Sequence, residues 1–279
     1  MTGMVTAWLL VSALVARPAK PSPGILLEDL TWVEAEKALT PETVVVIPLG
    51  AESKEHGPHL RLKNDFIIAE YLKNRVRERS AVVIAPTVNY GFYPSFVEYP
   101  GSTSLRLHTA RDMIIDICRG LSRFGPRRFY VLNTGVSTAR SLALSAEALD
   151  YEGILLRYTD ILTATESVEK EVARQEGGTH ADEIETSMLL YMSPGDVDMS
   201  KAVKDYHPGE GPLTRDPKKE GGTYSASGVY GDATLATKEK GRKLTEALVE
   251  VIVKEIEDIR RAMPPPSRIT GVPMPVPTP

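Results

Sequence analysis

Short β-branched runs alternating with amphipathic stretches are the feature that most constrains this chain. Val44-Val45-Val46-Ile47 is apolar without alternation, the pattern of a buried strand. Ala81 to Pro86, Arg128 to Leu132 and Ile154 to Thr159 read as further strands. Between the first two strands, Phe66, Ala69, Leu72 and Val76 recur at helical spacing, predicting a helix from Asp65 to Arg79. Helices are also expected over Ala110 to Phe124, Ser137 to Tyr151, His180 or Ala181 to Met192, and Lys238 to Arg261. Trp32 to Ala38 reads as a short helix, with Thr31 as N-cap and Glu34 completing a capping box. Such alternation implies a three-layer α/β/α fold with a largely parallel sheet and helices on both faces. At 279 residues and 42% hydrophobic composition, the chain can build one large core, expected over residues 25–262.

Chemistry concentrates just after the first of these strands. Glu52-Ser53-Lys54-Glu55-His56-Gly57-Pro58-His59-Leu60, closed by Asp65, gathers carboxylates and imidazoles at a strand's C-terminal end. Open α/β sheets place their active groups there. Two of the five histidines in the chain fall within four residues of each other. Carboxylate oxygen and imidazole nitrogen together suit Zn, Mn or Fe, and carboxylates also transfer protons. Other classes fit poorly. No basic run exceeds a pair such as Arg127-Arg128, so no nucleic-acid footprint is present. Gly50 to Gly57 lacks the Gly-x-Gly spacing and terminal Lys-Ser/Thr of a phosphate loop.

Four segments, in order, carry a resemblance. They are His56-Gly57-Pro58-His59-Leu60 with Asp65, Tyr99-Pro100-Gly101-Ser102, His180-Ala181-Asp182-Glu183-Ile184-Glu185-Thr186-Ser187, and Ser227-Gly228-Val229-Tyr230-Gly231-Asp232. Together they resemble the creatininase (creatinine amidohydrolase) family over roughly residues 30 to 260. The resemblance implies a metal-dependent hydrolase of a cyclic or linear amide C–N bond, with one or two divalent ions, a small-molecule amide substrate and a homo-oligomeric assembly. It also implies His56 and Asp65 as metal ligands, with Asp65 bridging if two ions bind. His180 resembles the family's proton-transferring histidine. Tyr90 and Ser95 lie in the loop the family uses near substrate.

Two departures qualify the expected ligand set. The family's glutamate two residues before the histidine is Lys54 here, leaving Glu55, or alternatively Glu52, to supply that carboxylate. An ammonium at that place would oppose cation binding. Asn133-Thr134-Gly135-Val136-Ser137 replaces the family's Asn-Gly-His loop, so Gly135 stands where a ligand histidine is expected. Glu183 is the proposed replacement, because residues three apart on a helix share a face with His180. Glu185, one place off that face, is expected to make a structural pair, and His59 either supports a ligand or holds a loop. A catalytically weakened binding or structural protein is the competing expectation.

The ends differ from the middle. Ala7 to Ala16 is apolar and short, and Arg17-Pro18-Ala19-Lys20-Pro21 follows it. Residues 1–20 therefore read as a signal peptide or N-terminal anchor, with export expected and a cytoplasmic enzyme as the alternative. From Met263, Pro264-Pro265-Pro266 ends the last helix and begins a Pro-rich tail, expected to be disordered to residue 279. A single cysteine, Cys118, excludes an internal disulfide and falls on an apolar helical face.

Overall fold

The run Val44–Ile47 lies in a strand, Val44–Leu49, all six of whose residues are buried. In the computed structural model, which describes residues 23–269, it is the middle strand of a five-stranded sheet. The strands are β1 (Ile25–Leu26), β2 (Val44–Leu49), β3 (Val83–Ile84), β4 (Arg128–Asn133) and β5 (Leu155–Tyr158), in the order β1-β3-β2-β4-β5. Every pairing is parallel, and β2 meets β4 from Val44 opposite Arg128 to Leu49 opposite Asn133.

Successive side chains of a strand point to opposite faces, so the apolar run supplies two cores at once. Val44 and Val46 join Tyr130 and Leu132 against α2 (Asn64–Arg79), α7 (Glu183–Met192) and α8 (Lys238–Arg261). Val45 and Ile47 join Phe129 and Val131 against α3 (Leu107–Ser122) and α4 (Ala139–Tyr151). This is the expected three-layer α/β/α architecture. Cys118 is buried in the second core, and that burial pushes its thiol pKa up. The short helix α1 (Trp32–Ala38) has its Thr31–Glu34 capping box formed in both directions.

The chain leaves β2 through α2 to reach β3 on one side, then crosses by α3 to β4 on the other. A crevice opens where the strand order reverses, at the C-terminal ends of β2 and β4. The loop after β2 and the Asn133–Gly135 turn after β4 meet there.

Two helices that were not read from sequence, α5 (Ile161–Ala164) and α6 (Glu166–Val172), follow β5. Two small pairs lie outside the main sheet: β6 (Lys204–Asp205) with β9 (Gly231–Asp232), and β7 (Leu213–Thr214) with β8 (Thr223–Tyr224). At the crossing of α7 and α8, a Cβ on Gly241 would sit 1.7 Å from the Ser187 carbonyl oxygen. Only glycine permits that approach.

Residues 1–20, read as a signal or anchor, lie outside the described residues, as does the tail beyond residue 269. The first part of the tail runs back over the end of α4. Arg268 N–H donates to the Tyr151 carbonyl at 2.9 Å, and its guanidinium pairs with Asp150 at 3.2 Å. No helix among the described residues is long and apolar enough to cross a membrane.

Candidate metal centre

Backbone geometry collects the polar residues. Gly50 ends β2 so close to α2 that a Cβ there would lie 2.3 Å from the Asp65 carbonyl oxygen. That contact brings the loop beside the first turn of α2, where Asp65 is completely buried. From the other side, His180 is held by an antiparallel bridge to Tyr230, and Ala181 takes a left-handed φ of 48°. Such a backbone is uncommon for alanine. Its N–H donates to Glu185 Oε2 at 2.7 Å, which fixes the turn and pins the glutamate.

His56 is the hub. Its Nδ1–H donates to the Lys54 carbonyl at 2.9 Å, which turns Nε2 toward two carboxylates. Asp65 Oδ1 lies 2.8 Å from Nε2 and Glu185 Oε1 3.3 Å. Donors around one small divalent ion stand about 3 to 3.4 Å apart, given bonds of about 2.1 Å. Donor atoms of His56, His180 and Glu185 all lie within 4.8 Å of one another. Asn64 Nδ2 donates to Glu185 Oε1 at 2.8 Å and steadies it from outside. This nitrogen and oxygen set fits one borderline divalent ion.

Charges are tightly balanced. Burial and the Lys54 ammonium push the His56 pKa down, but Asp65 and Glu185 outweigh them and lift it to about 9. Burial raises the Asp65 and Glu185 carboxyls, yet the neighbouring cations hold both below the usual carboxylate range. His59 goes the other way: burial dominates and lowers it to about 4, so it stays neutral beside Thr186 Oγ1 at 2.8 Å.

Lys54 reaches into the same crevice. Its Nζ lies 2.7 Å from Asp65 Oδ2, 4.7 Å from the Phe96 ring centre and 5.5 Å from that of Tyr93. On this side the ammonium stands beside Asp65, and the turn after β4 is closely packed: a Cβ on Gly135 would lie 2.9 Å from Thr138 Oγ1 and 3.2 Å from the Tyr93 ring.

The sequence-derived candidates divide accordingly. His56, Asp65 and His180 come together. Glu55 reaches the cluster from its edge, where Oε1 accepts from His180 Nε2–H at 2.8 Å and Oε2 from Gly57 N–H at 2.8 Å. Its carboxylate thus orients an imidazole and is not one of the converging donors. Burial raises the Glu55 pKa, but His180, the Gly57 N–H and His56 together outweigh it and the net shift is downward.

Glu183 requires correction. The expected shared face with His180 does not exist, because Asp182 caps α7 by accepting from Ile184 and Glu185 N–H, so the helix starts only at Glu183. The Glu183 carboxylate turns away to Lys240 and accepts from the N–H groups of Arg174 and Gln175 at 2.8 and 2.7 Å. Glu185, expected to be structural, takes the place at the cluster. The second Glu of the Glu-x-Glu pair was the available signal.

Ser95 lines a cavity of about 310 Å³ together with Phe96, Ser137, Lys54, His180 and Glu185. Tyr90 is not among its lining residues and is 47% exposed. Phe96 was not singled out from sequence, and its ring lies against His180 at 4.3 Å between centres.

Known proteins resemble this chain over most of its length. A family model, Creatininase, described as creatinine amidohydrolase, matches residues 28–256. Creatinine amidohydrolase of Pseudomonas putida is 28% identical over 268 residues, covering 88% of this chain and 99% of the relative. A mycofactocin precursor peptide peptidase of Mycolicibacterium smegmatis is 29% identical over 216 residues, covering 74% of this chain and 81% of the relative. A solved structure described as creatininase with Mn superposes with a TM-score of 0.71 at 25% identity, covering 86% of this chain and all of the other. Matched along most of its length by the family model, the chain belongs to the creatininase family of hydrolases.

Proposed function

We propose that this protein is a metal-dependent amidohydrolase that cleaves the C–N bond of a small cyclic or linear amide. The observation that supports it best is the convergence on His56 Nε2 of Asp65 Oδ1 at 2.8 Å and Glu185 Oε1 at 3.3 Å, with His180 beside them, next to a cavity of about 310 Å³ that His180 and Glu185 line. His56, Asp65 and Glu185 would hold the ion, and Zn, Mn or Fe suits these donors. When bound, such an ion supplies a Lewis acid and an acidified water.

The chain's own residues do the rest. His180, oriented by Glu55 and packed on Phe96, holds a proton at the cavity wall and passes it to the departing nitrogen. The neutral His59 keeps Thr186 in place beneath Ala181, whose strained turn sets the His180 ring. Ser95 and Ser137 offer hydroxyls to a polar substrate, and Phe96 offers an apolar face. The same reading includes a homo-oligomer and export directed by residues 1–20, for which light scattering and N-terminal sequencing of the native protein are the tests.

Metal-replete protein should release amine or carboxylate from at least one member of a panel of lactams, cyclic ureas and N-acyl compounds. Chelation should abolish that release. Absence of turnover together with absence of bound divalent metal would favour the second reading, a binding protein that kept the fold. Lys54 and Gly135, in the places of two expected ligands, are the observations that support it.

A further inference from the structure

We infer that the Lys54 ammonium is a resident cation of the centre, so that this site takes a single divalent ion on the His56–Glu185 side. The inference rests on the metal-dependent reading above and specifies its stoichiometry. Asp65 shows the division most plainly. One of its oxygens, Oδ1, faces His56 Nε2 at 2.8 Å, and the other, Oδ2, faces Lys54 Nζ at 2.7 Å. A carboxylate so placed can serve one ion through Oδ1 while Oδ2 stays neutralised by the protein itself.

The ammonium is built in. The Lys54 side chain is 6% exposed, and its charge is met by Asp65 and by the faces of Tyr93 and Phe96. Aromatic faces attract an ammonium, the more so away from water. The backbone holds the residue from both sides: Lys54 N–H donates to the Leu62 carbonyl at 3.1 Å, and its own carbonyl accepts from His56. Tyr93 also occupies the room beside Gly135, where a Cβ would lie 3.2 Å from its ring. The Tyr93 hydroxyl is buried without a hydrogen-bond partner among the described residues, and burial keeps it neutral by raising its pKa. It therefore brings no negative charge that would attract a second ion.

Like charges repel in inverse proportion to distance, and more strongly out of water. A dication at Asp65 Oδ2 would have to displace Lys54 from its cage. One at His56 and Glu185 would not.

The wild-type protein decides the matter first. After saturation with Mn(II) and gel filtration, mass spectrometry of metal content should return one ion per chain. Its electron paramagnetic resonance should show an isolated six-line signal. Two ions per chain, or the spectrum of a spin-coupled pair, would overturn the inference while leaving the hydrolase reading intact. In Lys54→Met, Asp65 gains a free oxygen, so calorimetry should show Mn(II) binding tightened at least tenfold or a second ion bound. A folded Lys54→Met protein with unchanged stoichiometry and affinity would also overturn it. No metal in either protein would remove the hydrolase reading and this inference with it.

Discussion

Glu183 and Glu185, two residues apart in α7, serve opposite sides of the helix: one is locked to Lys240 on α8, the other reaches His56 at 3.3 Å. Two steps along an α-helix turn a side chain by about 200°, so neighbours in a Glu-x-Glu pair cannot share a task. Their substitutions should therefore separate stability from metal binding. Glu185→Gln should lower metal affinity at least tenfold with a small change in unfolding midpoint. Glu183→Gln leaves Lys240 short of its buried partner and should cost about 2–4 kcal/mol in urea unfolding, while metal is retained. The reverse pattern would return Glu183 to the ligand set.

His180→Asn should keep the ion and lower turnover about a hundredfold, the scale of general acid–base catalysis. The comparison to make is metal content against kcat on the same preparation. Loss of metal from this variant would make His180 a fourth donor alongside His56, Asp65 and Glu185.

The α7–α8 crossing tolerates no side chain at position 241, where a Cβ would meet the Ser187 carbonyl at 1.7 Å. Gly241→Ala should force the helices apart and cost about 2–4 kcal/mol, the upper range for overpacking. Chemical denaturation reads this directly. A Tm within a degree of wild type would mean that the crossing is looser than described.

Acid sensitivity should come partly from the pair joining α2 to α8. Arg75 makes two bonds to Glu246, at 2.7 and 2.8 Å, and they hold that carboxyl down at about 2. A depressed carboxyl adds stability above its unfolded pKa of 4.5, and the contribution fades as pH falls toward 2. Glu246 is 36% exposed, so solvent screening limits the effect to about 1 kcal/mol or less. Arg75→Met should flatten the stability–pH slope between those limits and leave it unchanged above pH 6.

Cutting the chain after Ala262 should cost about 1 kcal/mol, because it removes Arg268, which bonds the Tyr151 carbonyl through its backbone N–H and pairs with Asp150. Melting temperatures of the two chains ending at residues 262 and 269 give the difference. Equal values would make this stretch an ornament on the surface of α4.

By itself the sequence determined the layers and the place of the chemistry. Continuous β-branched runs and helical spacing are local patterns, and burial on both faces of β2 follows directly from Val44 to Ile47. Lys238–Arg261 emerged with its expected bounds, because Thr237 caps it and Pro264 lies shortly beyond its end. The cluster at the end of β2 was legible for the same reason: His56 and Asp65 are near neighbours in the chain. What only the tertiary structure decided was which distant groups complete it. Asp182 took the cap of α7 and shortened the helix by one turn's start, so the side that Glu183 presents changed from the cluster to Lys240. Lys54 looked like a missing ligand, and its role depends on the rings of Tyr93 and Phe96, some forty residues away. Caps and charge cages of this kind are settled by competition among partners that only the folded chain brings within reach, and no local spacing records that outcome.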